Sequence, residues 1–235
     1  MYRCHILSIK THPCRELLDN VWQEFFPDSP SFCTFNMLTS TAFPCDFKVA
    51  MTYTLPYPPW TYPNIHIDDS LANDQVKELG PIVANVCYQH HINDNYPDYL
   101  AIFTDGSKSE KGCGSSFFIP SLNFGKSTSL PSLCSAFSTE LFAILSCLRW
   151  VQLHRPPKVL IACDSLSSLN ALHSVTFGKI HNNLVVKAFI SATTLISQGI
   201  DIVFLWTPGH QGIIGNEKAD KLAKRQIPTS THRQT

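Results

Sequence analysis

Four carboxylates and one imidazole stand in this chain where strands and a helix would deliver them to a common place: Asp105, Glu140, Asp164 and Asp220, with His210 ten residues ahead of the last. Asp105 and Asp164 each close an apolar run, Tyr99 to Thr104 and Val159 to Cys163, so both lie where a buried strand gives out. Glu140 precedes Ile144 by four within a helical pattern and lies beside its apolar stripe, which turns it towards the sheet. Asp220 ends the stretch Trp206-Thr207-Pro208-Gly209-His210-Gln211-Gly212-Ile213-Ile214-Gly215-Asn216-Glu217-Lys218-Ala219-Asp220, in which three glycines within seven residues let a loop move. Asn216 is read as the N-cap of the helix that follows, with Asp220 one turn inside it. Carboxylates gathered like this repel one another unless neutralised, and hard divalent cations do that. Mg²⁺ is the natural occupant, with Mn²⁺ as its substitute. Two such ions about 3.5–4 Å apart activate a water and stabilise the leaving oxygen of a phosphodiester. A histidine on a mobile loop suits a proton carrier serving that site.

The elements that must position these groups read as a mixed α/β sheet. Tyr99 to Thr104 is a buried strand; Cys113 to Ile119 and Leu122 to Leu130 are two more, forming an antiparallel meander with it. A helix follows, striped by Phe137, Leu141, Ile144, Leu145, Leu148 and Val151 and stopped by Pro156-Pro157. Val159 to Cys163 is a fourth strand. A short helix carries Leu166, Leu169 and Leu172, and a longer one carries Leu184, Val185, Ala188 and Leu195 and closes at Gly199. Ile200 to Trp206 is the fifth strand. The expectation is five strands, three antiparallel and then parallel strands alternating with helices, with helices on both faces. Such sheets hold their sites at the carboxyl ends of the strands, where Asp105 and Asp164 lie.

Residues 1–97 read differently. Leu17, Leu18, Val21, Trp22 and Phe25 predict an amphipathic helix within Thr11–Phe26, and seven prolines between Pro27 and Pro63, densest at Pro56-Tyr57-Pro58-Pro59-Trp60, predict an extended connector. A further short helix is expected between 68 and 97. The division is a Pro-rich connector over 1–97, a globular domain over 98–228 and a tail over 229–235.

Composition limits the classes open to the chain. At 235 residues and 44% hydrophobic it can bury one sizeable core and an appended region. It contains no apolar run long enough to span a membrane, and Met1 to Lys10 lack the pattern of a secretory signal, so an intracellular protein, cytoplasmic or nuclear, is expected. Nine cysteines with no C-x-x-C pair indicate neither a disulfide framework nor a zinc ribbon, and Cys4, His5, His12 and Cys14 have no common ligand spacing. The zero net charge hides an asymmetry: residues 1–97 hold five Lys/Arg against ten Asp/Glu, and residues 98–235 hold thirteen against eight. A basic surface on the second part favours a polyanionic partner.

Singly, each signal has a structural reading: Asp-Gly is a common turn, Glu140 could be a salt-bridging helix acid, and Asp164-Ser165 could cap a helix. In their order they resemble type 1 ribonuclease H, through Thr104-Asp105-Gly106-Ser107, Ser138-Thr139-Glu140-Leu141, Cys163-Asp164-Ser165 and the block from Gly209-His210 to Ala219-Asp220. The resemblance covers roughly residues 98 to 226. The wording Trp206 to Ile213, with Pro58-Pro59-Trp60 ahead of the domain, looks most like the C-terminal ribonuclease H region of jockey-like non-LTR retrotransposon polyproteins. No Y-x-D-D type motif of a reverse transcriptase occurs, so the chain resembles a detached fragment of such a polyprotein, with residues 1–97 as the remnant of the connection.

The resemblance implies hydrolysis of the RNA strand of an RNA–DNA hybrid by a monomer, leaving 5′-phosphate and 3′-hydroxyl ends. It implies that Asp105 bridges two metal ions, that Asp220 completes the site of the water-activating ion, and that Glu140 and Asp164 hold the other. His210 carries protons or helps to release product. Gly106, Ser107, Ser138, Thr139 and Asn216 are the expected substrate contacts in the shallow minor groove. Only Val175 to His181 separates the two middle helices, which leaves little room for the basic handle many relatives use on the hybrid. Two other readings stay open: an inactive nucleic-acid-binding remnant, and another nuclease or integrase of the same broad fold.

Overall fold

The computed structural model describes residue 55 and residues 57–73, 76–175 and 183–225. The helix expected within Thr11–Phe26, most of the connector, the segment between the two middle helices, the tail, and Cys4, His5, His12 and Cys14 lie outside those residues.

The three antiparallel strands are β2 (Leu100–Ser109), β3 (Gly112–Ile119) and β4 (Phe124–Leu130). The parallel strands β5 (Lys158–Cys163) and β6 (Asp201–Trp206) lie on the other side of β2. A strand that the sequence pattern does not show, β1 (His66–Asp68), pairs in parallel with β6, so the sheet has six strands in the order β1-β6-β5-β2-β3-β4 rather than five. At three residues, within a stretch read as connector, β1 is too short to display a period. The central strands are apolar on both faces because both faces are covered: Ile102, Phe103, Val159 to Cys163 and Ile202 to Leu205 are buried. β4, at the edge, is mostly exposed.

Among the described residues, five longer helices pack on this sheet. The first, α1 (Pro81–Asn95), begins with proline after Gly80, whose φ of 85° only glycine adopts freely, and it buries Ala84 and Tyr88. The second, α2 (Ala136–His154), starts where the Ser135 hydroxyl accepts a 3.0 Å hydrogen bond from the Ser138 amide and ends at Arg155, just before Pro156. It is followed by α3 (Leu166–Val175), α4 (Asn183–Ser197) and α5 (Ile214–Arg225). Leu141, Ile144, Leu148 and Val151 of α2 are buried, as expected for its stripe. On the opposite face α5 and α1 converge on Phe103: the Tyr88 ring lies 6.0 Å from it, and a Cβ on Gly215 would meet it at 2.2 Å.

The compact unit containing this sheet begins at Thr54. Leu71, Val76, Ala84 and Tyr88, all ahead of residue 98, are core residues. Asp68 ties β1 to α1. It accepts from the Ser70 amide and hydroxyl at 3.1 and 2.6 Å and from the Tyr96 hydroxyl at 2.7 Å, and lies 2.7 Å from His91 Nε2. Burial opposes its charge, but these partners outweigh burial and draw its pKa down to about 2. Among the described residues no helix is long and apolar enough to cross a membrane.

Candidate active site

Asp105 lies in β2 opposite Ser116 of β3, only 5% exposed, on the face that carries Phe103 and receives α5. The next residue sets the geometry of the other face. A Cβ on Gly106 would lie 2.3 Å from the Glu140 amide nitrogen and 2.5 Å from the Thr139 carbonyl carbon, so the first turns of α2 rest directly on a strand backbone that has no side chain there. That contact brings Glu140 to Asp105, and the nearby Gly106 backbone amide favours the charged form of the Glu140 carboxylate.

Asp164 is the first residue after β5. Its backbone carbonyl accepts from Trp206 Nε1 at 3.2 Å, and the Thr207 amide donates to the Cys163 carbonyl at 3.0 Å, which locks the ends of β5 and β6 together. Its side chain accepts from Asn216 Nδ2 at 3.3 Å, and the loop passes so close that a Cβ on Gly209 would meet Asp164 Oδ2 at 2.6 Å. Asp105, Glu140 and Asp164 each present an oxygen, all within 4.8 Å of one another.

A second group forms beside the first. His210, Glu217 and Asp220 bring ligand atoms within the same 4.8 Å. His210 is exposed and held at φ 57°, at a turn of the loop. Glu217 was not among the expected site residues; its spacing of three before Asp220 places both on one helix face and was the available signal. Asp220 is nearly enclosed, and its Oδ2 accepts from Lys224 Nζ at 2.7 Å. The Ser116 hydroxyl donates to the Ala219 carbonyl at 2.6 Å, which fixes this part of α5 against β3 beside Asp105.

Two expectations need correction. Asn216 is not an N-cap: α5 starts at Ile214, and Asn216 sits within its first turn, 2% exposed, with its amide spent on Asp164. Asp220 therefore lies nearly two turns inside the helix. Thr139 is fully buried and its hydroxyl donates to the Ala136 carbonyl at 2.7 Å, so it packs beneath Gly106 instead of meeting solvent. Ser107 and Ser138 are half-buried, and the Ser138 hydroxyl shares a 2.9 Å hydrogen bond with that of Ser135.

The electrostatics show what the site lacks on its own. Burial, and then the charges of Asp164 and Asp220, push Asp105 up to about 7. Burial, with Asp105 and Asp164, pushes Glu140 up to about 9, and burial also raises Asp164. Asp105 Oδ2 and Glu140 Oε2 are buried without a hydrogen-bond partner. Orphaned carboxylate oxygens in an oxygen-only cluster fit a hard divalent cation, which would return the charge they lack. The acidic groups can hold such an ion.

Residues 97–228 match the family described as RNase H. Human ribonuclease H1 is 26% identical over 141 residues, which covers 54% of this chain and 49% of that protein. The chain thus spans about half the length of this curated relative.

Proposed function

Because this chain belongs to the ribonuclease H family, we propose that it is an endonuclease hydrolysing the RNA strand of RNA–DNA hybrids with two Mg²⁺ ions, leaving 5′-phosphate and 3′-hydroxyl ends. The observation that carries this reading is the convergence of Asp105, Glu140 and Asp164 within 4.8 Å, with two of their oxygens buried and unpaired. Asp105, Glu140, Asp164 and Asp220 would hold the ions, and Mn²⁺ would substitute. When bound, the ions supply charge neutralisation at the scissile phosphodiester and acidify a water.

The remaining work belongs to side chains. Asp105 is coupled electrostatically to both Asp164 and Asp220, so it joins the two acidic groups. Asn216 orients Asp164 through its amide. His210, exposed on its loop, takes or returns a proton at the reacting oxygens. Ser107 and Ser138 meet the 2′-hydroxyls that distinguish the RNA strand. The wording Trp206 to Ile213 supports an origin in a jockey-like non-LTR retrotransposon polyprotein. An inactive remnant is the weaker reading, since all four acids and the histidine are intact.

The test is cleavage of end-labelled RNA–DNA hybrid, duplex RNA and duplex DNA, with Mg²⁺ and with chelator, by the full chain and by Asp105→Asn. Only the hybrid should be cut, only with metal, and only by the unaltered chain. Equal cutting of duplex RNA, or cutting in chelator, would defeat the reading.

A further inference from the structure

Lys224 plays no part in the chemistry described so far, yet it touches the acidic set directly. Its Nζ donates to Asp220 Oδ2 at 2.7 Å from one turn further along α5. The partners are unequal: the Asp220 side chain is 11% exposed and the Lys224 side chain 56%. Asp220 sits on the part of α5 fixed through the Ser116 contact to Ala219, whereas the lysine ends a flexible stem in solvent. The ammonium is thus the member free to leave.

We propose that Lys224 is a built-in counterion of Asp220 that an arriving divalent cation must displace, so that this lysine weakens and thereby sets the affinity of the site for its metal. The inference rests on the metal-dependent reading above. The Lys224 charge acts beyond its partner, stabilising ionised Asp105 and being stabilised in turn by Glu217. Before the cation arrives it offsets part of the repulsion among the acids. Once the cation arrives, two positive centres compete for one carboxylate. At about 4 Å, even with water-like screening, that competition amounts to roughly fivefold or more in affinity. The gain for the enzyme is a pre-shaped but loosely loaded site, from which an ion can exchange between turnovers.

The experiment measures Mn²⁺ and Mg²⁺ binding to the full chain without substrate, by calorimetry and by the loss of the free Mn²⁺ resonance. It compares the unaltered chain with Lys224→Met, Lys224→Gln, Lys224→Arg and Asp220→Asn, and with Lys224→Met combined with Asp220→Asn. Circular dichroism confirms the fold of each. The two uncharged replacements should bind metal at least about fivefold more tightly. Lys224→Arg should behave like the unaltered chain, and the gain should vanish in the Asp220→Asn background. Unchanged or weaker affinity in Lys224→Met and Lys224→Gln overturns the proposal alone. So does a gain that persists without the Asp220 carboxylate. If the unaltered chain binds no metal at millimolar concentration, this proposal and the metal-dependent function fall together.

Discussion

Glu140 carries a cost of assembling the site without metal. Its pKa is pushed up to about 9 by burial and by its neighbours, so below its ordinary value near 4.5 it is protonated in both the folded and the unfolded chain and exerts no penalty. As the pH rises through the interval between those values, the unfolded chain gives up its proton more readily, and stability is lost. The metal-free chain should therefore melt progressively lower relative to Glu140→Gln between about pH 4.5 and 9, as scanning calorimetry would show. Added Mg²⁺ should narrow that gap at about pH 8 and change little at about pH 5; a gap independent of pH would contradict the assignment. For His210, replacement by alanine should leave fold and metal affinity nearly unchanged and slow single-turnover cleavage at least about tenfold. Metal affinity falling as far as in Asp220→Asn would place the imidazole among the ligands, beside Glu217 and Asp220. The convergence of Asp105 with Glu140 and Asp164, and of His210 with Asp220, was legible from order and local pattern. Asn216 was misread because an asparagine beside a helix start looks like a cap, and its contact to Asp164 spans fifty-two positions that no local spacing reveals.

At the scale of elements, the seat of α2 on β2 decides whether Glu140 reaches Asp105 at all. Gly106→Ala would drive a Cβ into the backbone of Thr139 and Glu140, which cannot swing aside, so strand and helix must separate. Cleavage should fall at least about a hundredfold, with a stability loss of about 1–3 kcal/mol. Gly125→Ala is the matched control. Its closest contact, 2.5 Å, is the mobile end of Leu222, and it should cost less in a denaturant titration. Equal effects would mean that the Gly106 contact is not what places the site. The apolar runs made β2 to β6 and the helices α2 to α4 readable, except that β2 does not stop at Asp105 as expected: it runs on to Ser109, paired with β3, and holds Asp105 in its interior. The start of α5 was not, since its first turn rests through Gly215 directly on the Phe103 ring, a tertiary contact.

For the whole molecule, the boundary expected near residue 98 follows a change of composition, and the family match begins at residue 97. Packing runs further back. A fragment of residues 98–235 would lose β1, α1 and the buried Tyr88, together with Leu71, Val76 and Ala84. Losing one buried aromatic alone costs about 3–5 kcal/mol, a large part of the roughly 5–15 kcal/mol that holds a domain folded. That fragment should melt well below the full chain and bind a hydrophobic dye, whereas one starting at Thr54 should not; equal melting would show the preceding segment to be dispensable. The place of β1 also bears on how the molecule is made. Among the described residues β1 pairs with β6, His66 opposite Val203, so its edge stays open until β6 has been synthesised. The stretch just after β6 delivers Asp220, so closing the sheet and completing the acidic set fall together in synthesis, and a nascent chain stalled before β6 would carry neither a finished core nor the full acidic set.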